Sequence, residues 1–222
     1  MDIQYFLPGD IEKRSFEIIA RELSERKIVL PESERPVTMR VIHTSADFDY
    51  AENLKFSVGA VEEAERLLLS GAYIVTDTNM AKAGISKATL GKFGGKVLCF
   101  MADDDVALEA KKRGMTRAAV SMEKAARLAL EEGRKLVFAV GNAPTALISL
   151  YGMMKDGKYR PDFVVGVPVG FVNVVEAKEL FLNSDVPFII GKGRKGGSNV
   201  AAAICNALLY DAAGKLGMER KI

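Results

Sequence analysis

The sequence predicts a single α/β domain: a doubly wound, mainly parallel sheet with a helical cap at its N-terminal side. Three observations predict it. Five short runs rich in Val, Ile and Phe are apolar on successive residues, as strands buried on both faces are. Segments of helical periodicity separate them, and that alternation implies right-handed βαβ units. The first 55 residues show helical spacing without such a run. They read as the cap, and 56–222 as the alternating core of one domain over 1–222.

Each element has its own signal. In the cap, Ile11, Phe16, Ile18, Ile19 and Leu23 fall at helical spacing within 10–25. Pro36 opens a second helix, since proline is tolerated at a first helical position. On it Arg40 and His43 lie three apart and share a face. A helix carrying Val58, Val61, Ala64 and Leu68 follows Ser57. The first apolar run, 72–76, leads into Asp77-Thr78-Asn79, and the second, 96–101, into three aspartates at 103–105. Thr116 precedes a helix with Val120, Ala125, Leu128 and Leu130. The third run, 135–140, leads into Gly141-Asn142, and the fourth, 163–167, into Pro168. Asn173, with Glu176 three residues on, has the form of a capping box. The fifth run, 187–190, ends in the glycine-rich stretch 191–197, and Ser198 or Asn199 caps a last helix over 201–213.

Composition narrows the function. The 222 residues are 49% hydrophobic and 27% charged, which suits a globular chain and not a disordered, collagen-like or coiled-coil one. A net charge of +2, from 31 basic and 29 acidic residues, is too balanced for a dedicated nucleic-acid or membrane-surface protein. No apolar run reaches the ~18 residues of a membrane span. Met1-Asp2-Ile3-Gln4 lacks the basic start of a signal peptide. Cys99 and Cys205 stand far apart with neither a disulfide framework nor zinc spacing, so a reduced, cytoplasmic setting is expected. His43 is the only histidine, which excludes any site needing two imidazoles from one chain, and no metal site is expected.

In open parallel sheets ligands bind beyond the carboxyl ends of the strands. Those ends carry Asn142 and Thr145 after the third run, and Gly193, Arg194, Lys195 and Ser198 after the fifth. Glycine lets backbone approach a ligand, and amides at helix starts favour anions. With Lys192, Arg194 and Lys195 beside them, these turns suit an acidic ligand. Several of the glycines are expected to be purely conformational. Residues 191–196 also spell G-x-G-x-x-G, the dinucleotide form. Their place after the last strand, with no later strand to supply a ribose-binding acid, argues against that use. A lone helical histidine more often packs or faces solvent than catalyses, although Arg40, Thr44 and Ser45 surround His43 with polar groups.

Longer motifs then match a known family in order. Arg14-Ser15-Phe16, Arg40-Val41-Ile42-His43 and Thr116-Arg117-Ala118-Ala119 carry part of the likeness. Gly141-Asn142-Ala143-Pro144-Thr145-Ala146-Leu147, Val167-Pro168-Val169-Gly170-Phe171-Val172 with Glu176 and Lys178, and Gly193-Arg194-Lys195-Gly196-Gly197-Ser198 carry the rest. From about Tyr5 to about Leu209 the chain resembles the precorrin-8X methylmutases, or precorrin isomerases, and their cobalt-precorrin-8 counterparts. The resemblance implies an isomerase moving a methyl from C-11 to C-12 of a tetrapyrrole, giving hydrogenobyrinate or its cobalt analogue. It implies no cofactor, no methyl donor, and a homodimer whose subunits share a deep pocket. The family's catalytic histidine falls on His43, its substrate-contacting serine and arginine on Ser15 and Arg40, and a further arginine on Arg117. Thr78-Asn79 departs from the Ala-Glu pair of some relatives, and the stretch from Ser15 to Arg40 is about two residues longer.

The implied substrate carries many carboxylates around a flat apolar ring. Lys, Arg and backbone amides suit the carboxylates, and Met80, Val169 and Phe171 suit the ring. A proton or hydrogen bond from His43 to a ring nitrogen would redistribute charge and ease a formally [1,5]-sigmatropic shift. Two competing readings are a nucleotide-dependent α/β enzyme using 191–196 and a non-catalytic corrinoid carrier.

Overall fold

A computed structural model describes residues 7–218, so the readings made on Met1 to Gln4 and on Tyr5 lie outside the described residues. Six strands form one sheet: β1 (Leu54–Phe56), β2 (Tyr73–Thr76), β3 (Val97–Leu98), β4 (Leu136–Val140), β5 (Phe163–Gly166) and β6 (Phe188–Gly191). Their order is β1-β6-β5-β4-β2-β3. All neighbours are parallel except β1, which runs antiparallel to β6 with Leu54 opposite Gly191. Every residue of β2, β4, β5 and β6 is buried, which is why those runs are apolar at successive positions.

The period of two sorts the strand side chains between two cores. Ile74, Val137, Ala139, Val165 and Ile189 face α2 (Arg35–Ser45), α4 (Ala60–Leu69) and α11 (Ser198–Lys215). Val75, Leu136, Phe138, Val140, Val164 and Ile190 face α8 (Arg117–Glu132), α9 (Pro144–Lys155) and α10 (Val174–Leu182). Helix α11 is buried through much of its length, and its run of alanines lets other helices approach closely. Helix α2 lies on it through Val37, Val41 and Ile42, and α1 (Pro8–Glu25) packs outside through Ile19 and Leu23. The cap is therefore seated on the last helix of the core.

Several local expectations are corrected. The cap is not wholly helical: it ends in α3 (Tyr50–Asn53) and β1, whose three residues carry too little pattern to mark a strand. Of 96–101 only Val97–Leu98 pairs, at the sheet edge, where the Thr76 hydroxyl lies 3.2 Å from the Leu98 carbonyl. Val58 is exposed, because Gly59 in the left-handed region (φ 67) starts α4 one residue later. Asn173 is also left-handed (φ 56) and makes no side-chain cap, so the capping box with Glu176 does not form. Gly197 is the N-cap of α11 in place of Ser198 or Asn199. Helices α5 (Asn79–Gly84), α6 (Lys87–Lys92) and α7 (Asp104–Arg113) fill stretches that carried no helical reading. Thr116 caps α8 as expected, accepting the Ala119 amide at 3.2 Å.

Candidate active site

Chain order reverses between β2 and β4, since β2 is followed outward by β3 and inward by β4. Ligand crevices form at such switch points. Here the crevice floor is filled by the protein. Thr76 pairs with Ala139, so Asp77 emerges beside the turn after β4. Its fully buried carboxylate accepts the amides of Gly141 (2.9 Å), Asn142 (2.8 Å) and Ala143 (2.6 Å). Burial pushes the Asp77 pKa up, and the three amides pull against it. The amides expected to receive an acidic ligand are thus taken, which corrects the reading of this turn. Side chains remain available: Asn142 is exposed, and the Thr145 hydroxyl lies 2.7 Å from that of Thr116. That contact sets exposed Arg117, at the first turn of α8, beside the start of α9.

The turns after β4, β5 and β6 are packed against one another. Val167 donates its amide to the Val140 carbonyl (2.8 Å), and Gly197 donates to Val167 (2.9 Å). A Cβ on Gly196 would lie 2.0 Å from the Val167 oxygen, and one on Gly141 2.8 Å from the Gly197 oxygen. These two glycines are there for close approach, as expected of glycines with a purely conformational role. Below the last turn, buried Lys178 donates to the carbonyls of Gly193 (2.7 Å) and Lys195 (2.9 Å), and burial lowers its pKa to about 8.

The turn's own cations divide. Arg194 is exposed and lies over the Phe171 ring, 5.4 Å from its centroid. Lys195 reaches Asp47 and Asp49, both at 2.6 Å, and those carboxylates hold its ammonium far above the usual lysine range. Ser198 meets Thr78, oxygen to oxygen at 2.8 Å.

The cap supplies the remaining group. The Phe16 ring stacks on the His43 imidazole, centroids 5.2 Å apart and planes inclined by 25°. The Arg40 guanidinium lies 4.8 Å from the Phe16 centroid and 5.6 Å from that of Tyr210, and it pairs with Glu12. His43 is exposed, while Ser15 is half-buried and donates to the Ile11 carbonyl at 3.0 Å. Arg40 and His43 therefore meet around the Phe16 ring, and Ser15 precedes Phe16 on α1 with its hydroxyl turned back onto Ile11. The Lys195 ion pairs join this group to the last turn, because Asp47 and Asp49 closely follow α2.

The sequence marks Asp77 as the polar residue after a buried strand and Lys178 as part of a family motif, but it does not show that either is a structural partner, and it gives no sign of the Asp47–Asp49 pair. Apolar side chains stand open to solvent: Met80 is 72% exposed, Phe171 82% and Val172 78%. A cleft of about 460 Å³ between α8 and α9, lined by Arg127, Leu130, Met153 and Tyr159, holds none of the expected site residues. Among the described residues no group of His, Cys, Asp and Glu is placed to hold a metal ion, and no helix is long and apolar enough to cross a membrane.

Comparisons with known proteins point one way. The profile of the precorrin-8X methylmutase family matches residues 10–211. The cobalt-precorrin-8 methylmutase of Salmonella typhimurium is 44% identical, over 91% of this chain and 95% of its own length. That of Priestia megaterium is 40% identical, over 90% and 87%. The precorrin-8X methylmutase of Pseudomonas aeruginosa is 37% identical, over 93% and 97%. The crystal structure of a Thermus thermophilus precorrin-8X methylmutase aligns with a TM-score of 0.80 at 36% identity, covering 93% of this chain and 98% of that one.

Proposed function

The chain belongs to the precorrin-8X methylmutase family and is an isomerase of cobalamin biosynthesis; we propose that His43 is its proton donor and acceptor. The reaction would move the methyl from C-11 to C-12 of precorrin-8X or cobalt-precorrin-8. The observation that carries the role of His43 is its stacking on Phe16. Stacking occupies a face of the imidazole and fixes its tilt, while the residue stays exposed, so a nitrogen can meet a bound ligand.

Protonation of a ring nitrogen by the imidazole draws electron density through the macrocycle and weakens the bond from C-11 to the methyl. The methyl forms its new bond at C-12 as the old one breaks, and the proton returns to His43. No electron, proton or methyl group is gained or lost overall, so no cofactor is required. Arg40, Arg117 and Arg194 would take substrate carboxylates as charge-assisted pairs. Ser15, Asn142, Thr145 and Ser198 would offer neutral hydrogen bonds, and Met80, Val169 and Phe171 would flank the ring. A nucleotide at 191–196 fits poorly, because the Gly193 and Lys195 carbonyls point to Lys178 and Gly196 is closed against Val167.

A homodimer with a shared pocket accounts for the exposed Met80, Phe171 and Val172, which a large ligand and a second chain would cover. Residues 1–55 would serve in it as the cap of one continuous domain. A cytoplasmic setting agrees with two cysteines that are both free and buried.

The test is His43→Ala, with a fall in turnover of ~10²-fold or more expected for a lost general acid. Turnover within about threefold of wild type would remove the role. A variant that binds product normally with wild type also inactive would instead mark a carrier. Mixing inactive His43→Ala with an inactive Arg117→Ala protein tests the shared pocket: partial recovery is expected in heterodimers if those residues meet across the interface.

A further inference from the structure

We propose that Lys195 is a positioning residue: its ammonium, held between Asp47 and Asp49, latches the His43 end of α2 to the glycine-rich turn. The proposal rests on the reading of His43 as the proton donor. Both carboxylate oxygens lie 2.6 Å from the ammonium, and both aspartates lie close behind His43 in the chain.

The segment that receives the latch is itself ordered. His43 sits in the last turn of α2, which ends at Ala46 in the left-handed region (φ 54). Ser45 donates its hydroxyl to the Val41 carbonyl at 2.7 Å, and the Asp49 amide donates to the Asp47 carboxylate at 3.0 Å. The Asp47 amide donates to the Ser45 hydroxyl at 3.3 Å, so a pull on Asp47 is transmitted to the end of the helix.

The other side of the latch is anchored. The carbonyls of Gly193 and of Lys195 itself are gripped by the buried Lys178 ammonium. Gly196 lies hard against Val167, and the Lys192 amide donates to the Asn53 carbonyl at 2.7 Å. The latch thus joins a mobile-length side chain on rigid backbone to the end of the helix bearing the imidazole.

Charge argues against the alternative, in which Lys195 binds a substrate carboxylate. One ammonium between two carboxylates leaves a net charge of −1, which repels a polycarboxylate ligand. Arg194, exposed and over Phe171, and Lys192, also exposed, are the cations of this turn left to the substrate. Exposed ion pairs add little to stability, so the latch should be read in placement and not in unfolding. A misplacement of about 1 Å can cost up to ~10²-fold in rate.

The experiment compares Lys195→Met, Lys195→Arg, the double change Asp47→Asn with Asp49→Asn, and all three neutralising changes together. For the latch, kcat falls about tenfold in Lys195→Met while KM stays within about twofold. The aspartate pair gives the same fall, the triple change adds nothing further, and Lys195→Arg recovers most of kcat. For a substrate cation, Lys195→Met raises KM at constant kcat and the aspartate changes leave kcat at wild type; that pattern overturns the proposal. Amide exchange over 41–49 reads the latch without turnover. Faster exchange in Lys195→Met is expected, and unchanged exchange overturns the latch even if His43→Ala is inactive. Retained activity in His43→Ala would instead sink the reading of His43 and leave the exchange result standing.

Discussion

The Asp77 carboxylate takes the Gly141 amide at 2.9 Å across the point where the strand order of the sheet reverses. With the Asn142 and Ala143 amides it forms a three-point internal cap, so a place where many α/β proteins hold an anionic ligand is held here by the protein's own carboxyl group. Removing it leaves three amides beside a buried cavity. Asp77→Ala should destabilise the fold by about 3–5 kcal/mol, since it strands three amide donors at about 1–3 kcal/mol each, partly offset by relaxation. Urea unfolding measures this, and a loss under about 1 kcal/mol would show that water replaces the carboxylate.

Phe16 supports two expected site residues at once, stacking on His43 and lying under Arg40. Phe16→Leu keeps an apolar side chain and removes both ring contacts. Turnover should fall about tenfold as the imidazole loses its fixed tilt, and KM should rise as Arg40 loosens. Steady-state kinetics separates the two. A change in KM alone would mean that the stacking does not orient His43.

The parallel sheet was legible because strands buried on both faces must be apolar throughout, as at 136–140 and 163–166. Strand β1 was not, because an edge strand of three residues is specified by its partner β6 and not by its own pattern. Within the site, His43, Arg40 and Ser15 were marked by family likeness, and ring contacts with Phe16 join two of them, His43 and Arg40. What each cation does was not legible. Arg194 and Lys195 are adjacent in sequence, yet one faces solvent over an aromatic ring and the other pairs with aspartates about 150 residues earlier. Long-range partners such as Asp77 with 141–143 are set by strand order, which no local window contains.

Arg194 gives a contrast with its neighbour. Its side chain touches only Phe171 among the contacts described, and both are exposed, so Arg194→Ala should leave unfolding unchanged. KM should rise about three- to tenfold at low salt, and the gap from wild type should shrink as salt is added. Assays at two ionic strengths check this. A salt-independent rise would assign Arg194 to shape and not to charge.

The last prediction concerns pH. Glu65 on α4 is buried, with one carboxyl oxygen 2.6 Å from Lys215 and the other receiving no donor, so that it is free to carry a proton toward Asp211. Burial, reinforced by Asp211 of α11, pushes its pKa up to about 7, against the pull of Lys215. Burial also acts on Asp211, but hydrogen bonds with Glu65 and Lys215 bring its pKa below the usual carboxylate range, so the pair keeps its shared proton on Glu65. The folded state thus binds this proton more tightly than the unfolded chain, where a glutamate titrates near 4.5. The resulting stabilisation is complete below that value, declines as pH rises, and is gone above about 7. With Lys215 and Asp211 near solvent screening the site, the loss between pH 5 and 8 should be about 1–2 kcal/mol. Glu65→Gln fixes the neutral form, so it should unfold at a higher urea concentration than wild type at pH 8 and at nearly the same one at pH 5. If wild type holds its midpoint across that range, or Glu65→Gln follows the wild-type decline, the proton does not sit on Glu65.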